Sequence, residues 1–207
     1  MSHIAIISGS HRPHGNSPRI ARHIEKLLQG QGHTTYLLDL STTDLPFWDE
    51  GLWGAEGLAA KWETLWNPIR SELESAQGYI IVSPEYHGMV PSRLANLFLL
   101  LGNGPTVAHK PALAVSVSAG AGGTYPVTEL RAFSAKNNRM VYLPEHLIIR
   151  TAGEMFVETI KPEHTESNTI VGERLEWLLK MLADYTVAFN AIRSTGNMAN
   201  PKFPSGM

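Results

Sequence analysis

Short apolar runs recur along the chain. Each is followed by a polar loop and then by a segment whose apolar residues fall three and four apart. The runs lie at 3–8 (HIAIIS), 33–40 (HTTYLLDL), 78–83 (GYIIVS), 112–118 (ALAVSVS) and 140–150 (MVYLPEHLIIR). The first, third and fourth are nearly continuous and rich in Ile and Val, as parallel strands covered on both faces are. Helical spacing predicts helices near 17–30, 56–76, 91–102, 124–137 and 168–192. In the first, Ile20, Ile24, Leu27 and Leu28 form one stripe, and Gly30 is placed to end it. Strands alternating with helices in this way predict an α/β sheet with right-handed crossovers. No repeat or linker divides 1–193, which reads as a single domain, with 194–207 as an irregular C-terminal tail.

Composition narrows the function classes. The chain has 207 residues, 43% hydrophobic and 17% charged, which suits a globular core. A net charge of −2 gives no general field for nucleic acid or an acidic membrane surface. No cysteine is present, which excludes disulfides, thiolate catalysis and zinc–thiolate sites and fits a reducing compartment. No apolar stretch approaches a membrane span, and the first residues lack a signal-peptide pattern, so a cytoplasmic location is expected. The nine histidines are scattered without HExxH or similar spacing, so no metal site is expected.

In open α/β sheets ligands bind beyond the carboxyl ends of the strands. Three such loops carry candidate chemistry. After the first strand comes GSHRPHGNSPR, with Ser17 and Pro18 reading as a helix N-cap and first helical residue. Free N–H groups there, with Ser10, Ser17, the Asn16 amide and the Arg12 guanidinium, make an anion site. Cations at a helix N-terminus are unfavourable, yet Arg19 and Arg22 follow and no acid precedes Glu25. A bound phosphate explains them; a capped helix with solvent-facing arginines is the alternative. The loop is neither a Walker A loop nor GxGxxG, so a single terminal phosphate fits best.

After the third strand, SPEYHGMVPSRLANLFLLLG places Pro84, Glu85, Tyr86 and His87 at a turn. The next helix, 92–101, has Leu94, Leu97, Phe98 and Leu101 on one face, with Leu99 and Leu100 widening it. Such a helix is buried twice, by its own sheet and a second subunit, or lies deep in a monomer. After the fourth strand, SVSAGAGGTYP holds Ser118, Gly120 and Gly123, where glycines let backbone N–H groups approach a flat or anionic ligand.

In order and spacing, GSHRPHGNS, PEYHGMVPSRLAN and SAGAGG resemble the NADPH-dependent FMN reductase family over roughly residues 3–150. The resemblance implies a flavodoxin-like three-layer sandwich with a five-stranded parallel sheet of order 2-1-3-4-5. It implies FMN as cofactor and NADPH or NADH as hydride donor. Ser10, Arg12, Asn16 and Ser17 match positions that hold the FMN phosphate. Pro84, Glu85, Tyr86 and His87 match the turn bordering the flavin ring, largely through backbone. Ser118, Gly120 and Gly123 match the turn near its pyrimidine end, whose N–H groups stabilise negative charge on the reduced ring. His87 stands where the family commonly has Asn, and Ser92 and Ala95 replace Gly and Lys of the PGxLKN form.

By the same likeness the chain takes hydride from NAD(P)H and passes electrons to a quinone, azo compound, free flavin or similar small-molecule acceptor by a ping-pong mechanism. The flavin carries the chemistry, so no catalytic side chain is named. The likeness also implies a homodimer or homotetramer using helix 92–101. The aromatic segment 44–53 then walls a neighbouring flavin site, unless Trp48 and Trp53 simply pack over a helix. Two other readings stand beside it. One is a flavodoxin-type electron carrier without NAD(P)H turnover. The other is a serine hydrolase using Ser118, although Ser116 replaces the glycine that a GxSxG elbow needs.

Overall fold

A computed structural model describes residues 1–49, 52, 58–102, 106–198 and 200–203. The strands are β1 (His3–Ser8), β2 (Thr34–Asp39), β3 (Gly78–Pro84), β4 (Pro111–Val117) and β5 (Val141–Ile149). They form one sheet in the order β2-β1-β3-β4-β5, every pair parallel. The helices are α1 (Asn16–Gly30), α2 (Leu58–Ser75), α3 (Ser92–Leu101), α4 (Thr124–Phe133) and α5 (Thr165–Ser194).

Alternation along the strands makes two cores. Ile4, Ile6, Ile80, Val82, Leu113 and Val115 point to one face and meet Ile20, Ile24 and Leu28 of α1 and Leu175, Leu179 and Leu182 of α5. Ala5, Ile7, Tyr79, Ile81, Ala112 and Ala114 point to the other. They meet Trp62, Trp66 and Leu73 of α2, Leu94, Leu97 and Phe98 of α3, and Leu130 of α4. Full burial of each large aliphatic side chain contributes about 1.5–3 kcal/mol. Helices therefore cover both faces, the three-layer flavodoxin-like arrangement expected from the sequence. Chain order reverses between β1 and β3, which opens a crevice at the carboxyl ends of the central strands.

Several boundaries differ from expectation. Helix α1 begins at Asn16 with Gly15 as N-cap, so Ser17 is not the cap and Pro18 is the third helical residue. Proline is tolerated there because first-turn N–H groups have no intrahelical acceptor. Helix α1 ends at Gly30 as expected, with Gln31 as C-cap, and the left-handed residue is Gly32, with φ 83°. Helix α4 stops at Phe133 rather than 137, and α5 extends from Thr165 to Ser194, beyond both expected ends.

Candidate functional site

The first loop leaves β1 at Ser8 and enters α1. Ser10 is 1% exposed, and its Oγ accepts a hydrogen bond from Arg12 N–H at 3.0 Å. Gly15 N–H donates to Arg12 O at 3.0 Å, which folds the loop into a tight turn. Helix α1 has no side-chain cap and no acid in its first turn. Among the described residues, the N–H groups of Asn16 and Ser17 have no partner. The Arg12 side chain is exposed beside them. Uncapped N–H groups, two hydroxyls and a guanidinium are donors of the kind that suit an anion.

The cations further along α1 have other work, which corrects the expectation that a phosphate accounts for them. Arg19 reaches across to the loop after β5. It donates to Ala152 O and Met155 O at 2.6 Å and to Phe156 O at 3.0 Å. Partial burial lowers its pKa from the ordinary arginine value. Arg22 pairs with Asp39 at 3.3 Å. Arg19 also donates to Asn16 Oδ1 at 3.3 Å, which turns the Asn16 amide nitrogen away from Arg19 and leaves it as a donor.

The second loop is a hairpin. Tyr86 and Met89 exchange backbone hydrogen bonds of 3.0 and 2.9 Å. His87 and Gly88 between them have φ 51° and 77°. Positive φ at both central positions is the I′ pattern, which favours Asn-Gly. Histidine tolerates the left-handed region better than most residues, so His87 fits where the family commonly has Asn. Its side chain is exposed at the tip. The Tyr86 hydroxyl lies 3.0 Å from Ser10 Oγ, and its ring meets His11 edge-on at 5.0 Å.

The third loop follows β4. The Glu85 carboxylate accepts a hydrogen bond from Gly123 N–H. Gly120 N–H donates to Ser118 Oγ at 3.3 Å. These two N–H groups are therefore engaged within the protein; among the described residues those of Ala121 and Gly122 are not. Gly123 has φ 107°, and a Cβ there would lie 2.5 Å from Ile148 Cγ2. At Gly120 a Cβ would meet nothing within 4 Å, so this backbone faces open space. No histidine is hydrogen-bonded to Ser118 among the described residues, so the hydrolase reading finds no base.

The structure thus brings Ser10, Tyr86, Glu85 and Gly123 together from three loops at one end of the sheet. Pro84 is the last residue of β3 and is buried. Sequence reasoning missed Arg150, which directly follows β5 and holds the third loop: its Nε donates to Ala121 O at 2.7 Å and to Gly122 O at 3.1 Å. Its position at the carboxyl end of a strand was the available signal.

The NADPH-dependent FMN reductase family model matches residues 2–154 of this chain. The chain belongs to that family. The reductase is an oxidoreductase enzyme with FMN and NAD(P)H as cofactors, which displaces the electron-carrier reading. No curated protein matches it. Solved structures share its fold at low identity. FerB, a flavoenzyme NAD(P)H:(acceptor) oxidoreductase from Paracoccus denitrificans, is similar with a TM-score of 0.70 and 18% identity, over 91% of the reductase and 99% of FerB. An NADH:FMN oxidoreductase, EMOB, in its apo form gives 0.62 and 14%, over 88% of each chain. An azoreductase from Bacillus anthracis str. Sterne gives 0.61 and 13%, over 89% of the reductase and all 100% of its own chain.

The residues present fit FMN. The first loop offers donors suited to a phosphate. Ser8 Oγ, fully buried at the end of β1, has no hydrogen-bond partner among the described residues. A second feature lies on the helical face rather than at this site. A groove of about 490 Å³ between α3 and α4 is lined by Trp48, Ala95, Phe98, Leu99 and Phe133. Asn96 pins the segment carrying Trp48, accepting from Trp48 N–H at 2.7 Å and donating to Pro46 O at 2.8 Å. Leu99 and Trp48 are 54% and 45% exposed, so the outer side of α3 stays open at Leu99 and Trp48 is only partly covered. Trp53 lies outside the described residues. Among the described residues no helix is long and apolar enough to cross a membrane, and no cluster suited to a metal ion occurs.

Proposed function

We propose that the reductase is a cytoplasmic NAD(P)H:acceptor oxidoreductase that holds FMN across the three loops. Its acceptor is a quinone, azo compound, free flavin or similar small molecule. The observation that carries this reading is the linkage of all three loops, through Ser10 with Tyr86 and Glu85 with Gly123. FMN supplies the redox chemistry when bound, accepting hydride from NAD(P)H and passing electrons on. Ser10, Arg12, Asn16 and Ser17 bind the phosphate. Pro84, Glu85, Tyr86 and His87 border the ring, and the 118–123 turn borders its pyrimidine end.

No side chain of the chain is assigned a proton transfer. The protein binds, orients and sets the local field. One open space beside the His87 hairpin serves donor and acceptor in turn, which calls for ping-pong kinetics. The exposed apolar groove on α3 and α4 suits a second copy of the chain, giving a homodimer or homotetramer.

The test is steady-state kinetics of the FMN-loaded protein with NADPH or NADH and benzoquinone. Parallel double-reciprocal lines are expected. Intersecting lines would refute the shared space, and no oxidation of either nucleotide would refute the assigned reaction.

A further inference from the structure

The turn after β4 is held from behind by an arginine that has no place in the functions assigned so far. Arg150 Nε donates to Ala121 O at 2.7 Å and to Gly122 O at 3.1 Å. Thr151 N–H donates to Gly120 O at 3.1 Å. Three successive peptide carbonyls are thus bound on one side. A peptide group is rigid and planar, so fixing its C=O fixes the direction of the N–H opposite. The N–H groups opposite the first two of these carbonyls belong to Ala121 and Gly122, and among the described residues neither has a partner. The third, Gly123 N–H, goes to the Glu85 carboxylate.

Hydrogen bonding to a cation at the oxygen end polarises a peptide and strengthens its N–H as a donor. We propose that Arg150 is a positioning residue that, through Ala121 O, aims and strengthens the Gly122 N–H donor, next to the Ala121 N–H that Thr151 holds through Gly120 O, toward the electron-rich pyrimidine edge of the cofactor, favouring its reduced form. Glu85 acts in the opposite sense. It takes the Gly123 N–H for itself and places a carboxylate on the same turn. The potential of the bound cofactor is set by this opposed pair acting through one loop. The inference rests on the FMN site proposed above.

The test compares the two-electron midpoint potential and the FMN dissociation constant of the wild type with those of Arg150→Met, Arg150→Gln and Arg150→Lys. Arg150→Met is expected to weaken reduced FMN about tenfold more than oxidised FMN, a fall of about 30 mV in midpoint potential. Arg150→Lys keeps the charge and is expected to fall less. Arg150→Gln keeps a donor without charge and is expected to resemble Arg150→Met; it serves in its place should the methionine variant not fold. A merely structural arginine would loosen both redox states alike and leave the potential unchanged, and that result overturns the proposal. Failure of wild-type protein to bind FMN would instead overturn the site itself, so the two failures are distinguishable.

Discussion

The Tyr86 hydroxyl lies 3.0 Å from Ser10 Oγ, a contact between residues 76 positions apart in the chain. It ties the hairpin after β3 to the loop after β1 across the point where the sheet reverses its order. The parallel pairing of β1 with β3 makes this possible, since Ser8, the last residue of β1, sits opposite Val82 and β3 runs only two residues further, to Pro84. A ligand with a phosphate at one end and a ring at the other can span such neighbouring loops.

Arg12 is the cation assigned to the phosphate. Arg12→Ala is expected to weaken FMN about tenfold, the effect of losing one exposed charge-assisted hydrogen bond, and to leave riboflavin nearly unchanged. Fluorescence titration of the apoprotein with each flavin measures both. Equal losses would place the phosphate elsewhere.

Two glycines of one turn should respond in opposite ways. Gly123→Ala puts a Cβ 2.5 Å from Ile148 Cγ2 at φ 107°, and is expected to cost at least about 2 kcal/mol in urea unfolding. Gly120→Ala meets nothing within 4 Å and is expected to stay within about 0.5 kcal/mol of wild type. It should still weaken FMN about tenfold, because the new methyl stands in the open space assigned to the cofactor. Unchanged FMN binding in Gly120→Ala would contradict that placement.

Much of this architecture is legible in the sequence, for identifiable reasons. The runs that became β1, β3 and β4 are continuous because both faces of the sheet are covered, and α1 shows its stripe because one side faces solvent. Ser10, Glu85, Tyr86 and Gly123 stand out because loops at strand ends carry unusual residues. What could not be read were pairings between distant segments. Arg19 looked like a cation whose charge a bound phosphate offsets because its carbonyl acceptors at 152, 155 and 156 lie more than 130 residues away. Arg150 looked like the end of a strand because its partners are backbone oxygens, which leave no mark in a sequence. Leu99 and Leu100 read alike, yet Leu100 is 1% exposed and Leu99 is 54% exposed, a difference set by where α3 meets the sheet.

Stability should fall on mild acidification. His23 stacks on Phe156 at 4.5 Å, and burial first, then repulsion from Arg19 and Lys26, lowers its pKa below 6.5. Burial also leads in lowering His109 and His146. Each is accommodated neutral in the fold but takes up a proton near pH 6.5 when unfolded. Their stabilisation is complete above that pH and is lost as pH falls below it. The shifted carboxylates Glu74 and Glu154 act only below their ordinary value of 4.5. Urea midpoints should therefore be lower at about pH 5.5 than at about pH 7.5, with a smaller difference in His23→Gln. Equal wild-type midpoints would contradict this.

The α3–α4 face should hold subunits together. Trp48, Leu99 and Phe133 line the groove and are 45%, 54% and 36% exposed. Light scattering should find a dimer or tetramer, and Leu99→Glu should shift it to monomer without lowering the thermal midpoint, since Leu99 packs little against its own chain. A monomeric wild type would contradict the assigned interface.

The most direct test of the FMN site is a crystal structure of protein grown with excess FMN. The expected electron density places the phosphate among Ser10, Arg12, Asn16 and Ser17, with the ring between the Tyr86 hairpin and the 118–123 turn. FMN bound elsewhere, or that cradle empty at saturating FMN, would contradict the central claim.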